Sequence, residues 1–130
     1  MFLGEYQHGL TKGKRLALPK KIRAQITGTE VILSKGFEPC INGFDKPLWE
    51  ETAKQPLAIP LYEERGRSLR RQMFAAAQVV EIDKQGRIIL PDSLASWAGI
   101  KDEIIVVGVG DHFEIWESKK WDEYLKKEII

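Results

Sequence analysis

The sequence predicts an α+β fold, a small interlocked barrel built from two similar half-repeats with flanking helices. Three observations point to it. The stretches "TKGKRLALP" (residues 11–19) and "DKQGRIILP" (residues 83–91) are near copies of each other, 72 positions apart. Strand-like segments recur around each copy at the same offset. A chain of 130 residues, 43% hydrophobic and 30% charged, suits one ordinary globular unit or two small halves sharing a core.

At an offset of 72, Arg15 meets Arg87, Leu16 meets Ile88, Leu18 meets Leu90, Pro19 meets Pro91 and Ile22 meets Leu94. With a slip of one residue, "EVIL" (30–33) meets "EIIV" (103–106). At 72 again, Ile41 meets Phe113, Phe44 meets Trp116 and Trp49 meets Trp121. An ordered series of this kind marks an internal repeat.

The second half shows the plan more clearly. A strand over 78–82 leads through a turn at 83–86 into a strand over 87–90. Gly86 suits the left-handed conformation of a tight hairpin, and Asp83 is placed to hydrogen-bond the turn backbone. Pro91 has no N–H to give to a ladder, so the strand stops there. "PDSLASWAG" reads as a short helix between Pro91 and Gly99. "EIIVVGVG" and "HFEIWE" read as strands turning at Gly110-Asp111. "SKKWDEYLKKE" reads as a helix with Ser118 as N-cap and Trp121, Tyr124 and Leu125 on one side. Between the halves, Leu61, Leu69 and Met73 fall at multiples of four, which predicts a helix with Arg67, Arg70, Arg71 and Phe74 on another face. Gly66 weakens its first half.

The expected organisation is a first half-repeat over 1–54, a linking helical segment over 55–77 and a second half-repeat over 78–130, packed as one pseudo-twofold unit. A lone hairpin is marginal in water. The alternation in Arg15-Leu16-Ala17-Leu18 and the apolar run Ile88-Ile89-Leu90 therefore predict strands that bury one another. Such packing sets the two arginine-bearing hairpins side by side.

Net charge is only +1, but it is unevenly spread. Residues 1–27 carry +5, 28–64 carry −4, 65–90 carry +4 and 91–130 carry −4. Screening confines such fields to about 8–10 Å, so a basic block can hold an anion on a nearly neutral chain. The same alternation would also serve head-to-tail contacts between copies.

Other function classes find little support. Two histidines and the single Cys40 make no Cys/His cluster, so no metal site is expected. One cysteine forms no internal disulfide, which fits a reducing cytoplasm. Cys40 reads as a buried, inert thiol at a strand. No glycine-rich phosphate loop with its lysine occurs, and nothing places nucleophile, base and orienter together, so neither an enzyme nor a cofactor is expected. Apolar runs such as 104–107 are far too short to span a bilayer, and the first residues do not read as a signal peptide. The four tryptophans, Trp49, Trp97, Trp116 and Trp121, read as core or subunit contacts.

From "MFLGEYQHGL" to "FEIWESKKWDEYL", the chain resembles the MraZ family of bacterial transcriptional regulators, within the wider AbrB-like (SpoVT-AbrB domain) group. The most specific element is the family's Asp-x-x-x-Arg motif, expected once per half. It stands whole as Asp83-Lys84-Gln85-Gly86-Arg87. In the first half Thr11 replaces the Asp and Lys14 the Gly, and Arg15 remains. The resemblance implies a double-split β-barrel, a ring-like homo-oligomer, and a cytoplasmic, nucleoid-associated repressor. It implies binding of double-stranded DNA at direct repeats, upstream of a division and cell-wall gene cluster.

The residues suit that role. Arginine pairs with guanine O6 and N7 through two parallel hydrogen bonds, and a two-stranded ribbon fits the major groove. Arg15 and Arg87 are therefore assigned to bases. Lys12, Lys14 and Lys84, followed by Lys20, Lys21 and Arg23, are assigned to phosphate, where they add affinity with little sequence information. Asp83 is expected to orient Arg87 or cap its turn. The alternative reading is a structural oligomerisation or protein-interaction module, whose arginine-rich segments pair with acidic blocks of neighbouring subunits, acids such as Glu38, Glu50 or Asp111 engaging Arg15 and Arg87.

Overall fold

The structure is a computed structural model that describes residues 1–127. Glu128, the last residue of the predicted final helix, and residues 128–130 of the predicted second half lie outside the described residues. The first half runs β1 (Glu5–Gly9), β2 (Arg15–Ala17), α1 (Lys20–Arg23), β3 (Glu30–Lys35), β4 (Ile41–Asp45) and α2 (Lys46–Ala58). A middle segment holds α3 (Glu64–Arg70) and a π-helical turn (Arg71–Ala75). The second half then repeats the first as β5 (Gln78–Glu81), β6 (Arg87–Ile89), α4 (Asp92–Ala98), β7 (Glu103–Gly108), β8 (Phe113–Glu117) and α5 (Ser118–Lys127). Each element starts 72 or 73 positions after its counterpart.

The halves exchange strands. The main sheet is antiparallel, ordered β1-β7-β8-β4-β3-β5, and β2 pairs with β6 in a separate ribbon. Thus β1 of the first half pairs with β7 of the second, and β5 of the second pairs with β3 of the first. Replace each strand by its repeat mate and the order reads the same from the other end. The pseudo-twofold axis therefore passes between β4 and β8 and between β2 and β6. The six-stranded sheet does not close: β1 and β5 are its edges. Where sheet strands lead into the ribbon the chain makes tight turns, and pairing there shrinks to features such as the single bridge Thr11↔Arg15.

Alternation sorts the side chains into two layers. One sheet face gives Val31, Leu33, Ile41, Ile104, Val106, Phe113 and Ile115 to a core completed by Leu16, Ile88, Leu18 and Leu90 of the ribbon region and by Ile22 and Leu94 of α1 and α4. At the central strand pair Gly43 lies opposite Phe113, and a Cβ there would collide with the Phe113 ring. The other face carries Cys40, Ile105, Val107 and Trp116, covered by Trp121 and Tyr124 of α5. In the first half, Phe44 packs on Trp49 of α2, and Trp49 on Phe74.

Three expectations need correction. The leucine spacing predicts a helix from Leu61, yet the helix begins at Glu64 and Leu61 is 63% exposed. Pro60 holds Ile59 extended, at φ −73° and ψ 127°, which separates α2 from α3. Gly66 stays inside α3 because a Cβ would come within 2.7 Å of Ile59. At the last helix, Glu117 is the cap in place of Ser118: its carboxylate accepts the backbone N–H groups of Lys119 (3.2 Å) and Lys120 (3.1 Å). Finally, Ile89 does not join the buried run. Ile88 and Leu90 are buried, whereas Ile89, on the opposite side of the strand, is 54% exposed.

Candidate nucleic-acid interface

The β2–β6 ribbon brings the two arginines together. Its register sets Arg15 opposite Ile89, Leu16 opposite Ile88, and Ala17 opposite Arg87. Leu16 and Ile88 point into the core, so Arg15, Ala17, Arg87 and Ile89 share the other face. The arginines sit diagonally across that face. Two symmetric backbone bonds of 3.0 Å extend the ribbon: Leu18 N–H donates to Gly86 C=O, and Leu90 N–H to Lys14 C=O. Each half's strand is thus tied to the other half's turn. A groove of about 380 Å³ runs beside this face, lined by Arg15, Arg87, Asp83, Glu81 and Ile89 among others.

The two turns hold their arginines differently. Asp83 Oδ1 accepts the backbone N–H groups of Gln85 (2.8 Å) and Arg87 (2.9 Å), and Oδ2 accepts Arg87 Nε at 3.1 Å. Gly86 sits at φ +77°. The Arg87 guanidinium is steadied at Nε, while both terminal nitrogens are without a partner among the described residues. In the first turn Thr11 Oγ1 donates to Arg15 C=O at 3.3 Å, and no carboxylate among the described residues pairs with the Arg15 side chain. Gly13 takes φ +77° and Lys14 takes φ +56°, so a lysine adopts the left-handed conformation that Gly86 fills in the second turn.

The Asp83 carboxyl is held below its ordinary 3.8, first by the Arg87 backbone N–H, against some desolvation, then by the Gln85 N–H and the Arg87 guanidinium. A depressed carboxyl stabilises the fold fully above its unfolded value, about 3.9, and loses that contribution as pH falls through the folded value. Asp83→Asn is therefore expected to unfold at lower urea than the natural protein at pH 7. The gap between their urea midpoints should narrow below about pH 4.

The other predicted residues scatter. Lys12 and Lys84 are exposed at equivalent positions in the two turns. Lys14 Nζ meets Asp92 Oδ1 at 2.8 Å, a pair open to solvent. Lys20 and Lys21 are exposed on α1, and Lys21 lines a separate pocket with Met1, Leu3 and Tyr6. Arg23 is half-buried and gives Nη1 to Ile26 C=O at 3.2 Å. In the middle segment Arg67 donates to Leu61 C=O and Arg70 to Leu57 and Ile59 C=O, while Arg65 pairs with Glu63 Oε1 at 3.2 Å. Cys40 is fully buried, and burial, with Glu114 and Glu38 nearby, pushes its thiol pKa far up. Sequence reasoning missed Ile89 and Ala17 as neighbours of the arginines. Period-two alternation carried from Arg87 to Ile89 would have found the first.

This architecture defines a class of two-repeat α+β proteins whose halves trade edge strands and jointly present one arginine-bearing ribbon. Comparison with known proteins places it more narrowly. The model of the family described as "MraZ protein, putative antitoxin-like" matches twice, over residues 1–72 and 73–129. "Transcriptional regulator MraZ" of Roseiflexus sp. (strain RS-1) is 38% identical over 125 residues, 96% of this chain and 87% of the relative. The protein of that name from Leuconostoc citreum (strain KM20) is 40% identical over 124 residues, 95% of this chain and 86% of the relative. That from Herpetosiphon aurantiacus is 39% identical over 125 residues, again 96% and 87%. The chain belongs to the MraZ family, a family of transcriptional regulators and not of enzymes, as the resemblance in its sequence indicated.

Proposed function

We propose that this protein is a sequence-specific regulator that binds double-stranded DNA through the β2–β6 ribbon. One observation carries the reading: the ribbon draws one arginine from each half onto a single exposed face. Arg15 and Arg87 read guanines in the major groove, with Ile89 between them free to meet a thymine methyl. Lys12, Lys14 and Lys84 contact phosphate, joined by Lys20, Lys21 and Arg23 where the duplex extends over α1. Asp83 fixes the aim of Arg87. The half-repeats 1–54 and 78–130, linked by 55–77, form a double-split β-barrel in which the ribbon caps the open sheet.

One ribbon covers few base pairs, so the active form is a ring-like homo-oligomer engaging direct repeats. Linked sites gain about 10²–10⁴-fold in avidity over one. The setting is the nucleoid of the cytoplasm, and the action is repression of a division and cell-wall gene cluster.

Fluorescence anisotropy of the intact protein on duplexes bearing one repeat or several, across a salt series, tests the reading. Affinity is expected to rise steeply with repeat number. Its logarithm should fall linearly with log salt, with slope about −0.9 per phosphate neutralised. Equal binding to repeat-bearing and scrambled duplexes would refute sequence-specific recognition.

A further inference from the structure

The repeat supplies an internal control for a pocket that the DNA reading leaves unused. In the second half, Trp116 packs against Trp121 (5.3 Å between ring centroids) and Tyr124 (4.9 Å). The corresponding first-half residues, 72 positions earlier, are Phe44, Trp49 and Thr52. Phe44 and Trp49 keep their contact at 5.0 Å, but Thr52 has no ring to offer. A cavity of about 180 Å³ opens there, lined by Phe44, Trp49 and Thr52. An apolar cavity of roughly 150 Å³ holds benzene, so this one has room for one substituted six-membered ring.

Its polar lining is specific. Asn42 is 94% buried, being only 6% exposed, and lines the cavity. Its Oδ1 faces Cys40 Sγ at 3.9 Å, and its amide nitrogen has no partner among the described residues. Among the described residues Arg70 Nε is the buried side-chain nitrogen or oxygen left without a partner, so the Asn42 amide is not sealed in but accessible to a ligand. Glu38 also lines the cavity, and its carboxylate has no hydrogen bond or ion pair among the described residues. On the far wall His112 stacks on Phe44 at 5.2 Å. Its Nδ1 meets Asp111 at 2.7 Å and its Nε2 meets Glu114 at 3.5 Å. Of the three carboxylates in the lining, Asp111 and Glu114 are engaged by His112, which leaves Glu38 for a ligand. Lys35 also lines the cavity, and its ammonium lies over the Trp97 ring at 5.0 Å.

We propose that this cavity is a binding site for a small planar organic cation, a protonated aromatic amine or amidine. Its ring takes the place that Tyr124 fills in the other half. The flat body stacks among Phe44, Trp49 and His112, the Asn42 amide hydrogen-bonds its edge, and Glu38 pairs with its charge. Cation–π attraction to the Trp49 face adds to the ion pair.

Benzamidine is the probe, with benzoate as the same ring of opposite charge and benzyl alcohol as a neutral ring. Binding is read by NMR from the Asn42 side-chain amide and Trp49 indole signals of the full chain. Benzamidine is expected to shift both signals saturably and to bind at least about tenfold more tightly than benzoate. Thr52→Tyr, which rebuilds the second-half cluster, should weaken benzamidine at least about tenfold, as filling a pocket displaces its ligand. Thr52→Leu serves the same purpose if the larger substitution disturbs the near-ultraviolet circular dichroism. Glu38→Gln should weaken benzamidine and leave benzyl alcohol unchanged. The proposal is overturned if benzamidine leaves both signals unmoved, if benzoate binds as well, or if filling position 52 changes nothing.

Discussion

Replacing Arg15 and Arg87 together by alanine is expected to lower affinity for repeat-bearing DNA by about 10²–10⁴-fold, since each bidentate arginine–guanine contact contributes about 1–3 kcal/mol. Assembly should be unchanged by sedimentation, because both side chains lie on the exposed face of the ribbon. The single variants should differ. Arg87 is steadied by Asp83 at 3.1 Å, and Arg15 has no such partner among the described residues. A side chain already held in place loses less entropy on binding, so Arg87→Ala is expected to cost more than Arg15→Ala. Lysine at either position should keep the salt dependence and lose sequence discrimination, because an ammonium cannot make the two parallel bonds. A double variant that binds as tightly as the natural protein would remove the ribbon from the site.

The second large effect concerns the underside of the same ribbon. Leu16 and Ile88 lie directly opposite one another, at 0% and 1% exposure. Truncating either to alanine should lower the free energy of unfolding by about 2–5 kcal/mol, measured by urea denaturation. Total stabilities of small domains are about 5–15 kcal/mol, so the double variant should approach the limit of folding. The two effects should not add, since both deletions open one shared cavity. Ile89→Ala, one position away on the exposed face, is the control. It should alter stability by no more than about 0.5 kcal/mol while weakening DNA binding. If Ile89→Ala destabilised as much as Ile88→Ala, the assignment of faces would be wrong.

The repeat carried most of what could be read in advance. It marked the strands around both turns, the helix between Pro91 and Gly99, and the juxtaposition of Arg15 with Arg87. What stayed hidden depended on contacts between segments distant in sequence. Helix α2 occupies the place of α5 moved back by 72, yet its own pattern is weak because Pro56 lies inside it. The false helix start at Leu61 arose because apolar spacing alone was read from Leu61, while Glu63 stays extended (φ −84°, ψ 128°) and delays the helix to Glu64. Glu117 escaped notice as a cap because a glutamate ending a strand looks like any strand-end charge. The Asn42 cavity was illegible for another reason. It exists only where β3, β4, α2 and the β7–β8 loop meet, segments far apart in the sequence.

The exchange of strands between halves also governs how the chain comes into being. Strand β1 pairs with residues 103–107, close to the end of the described chain. At about 5–20 residues per second, the first strand leaves the ribosome several seconds before its partner exists. No hairpin of the first half can satisfy it meanwhile, because β2 belongs to a ribbon whose other strand is also still to be made. The pairings of β1 with β7, β2 with β6, β3 with β5 and β4 with β8 join segments distant in sequence, which slows folding and leaves unpaired edges open to aggregation. Nascent chains on one messenger would each expose the same waiting edge, so a β1 strand closing on a neighbour's β7 is the characteristic error this topology invites.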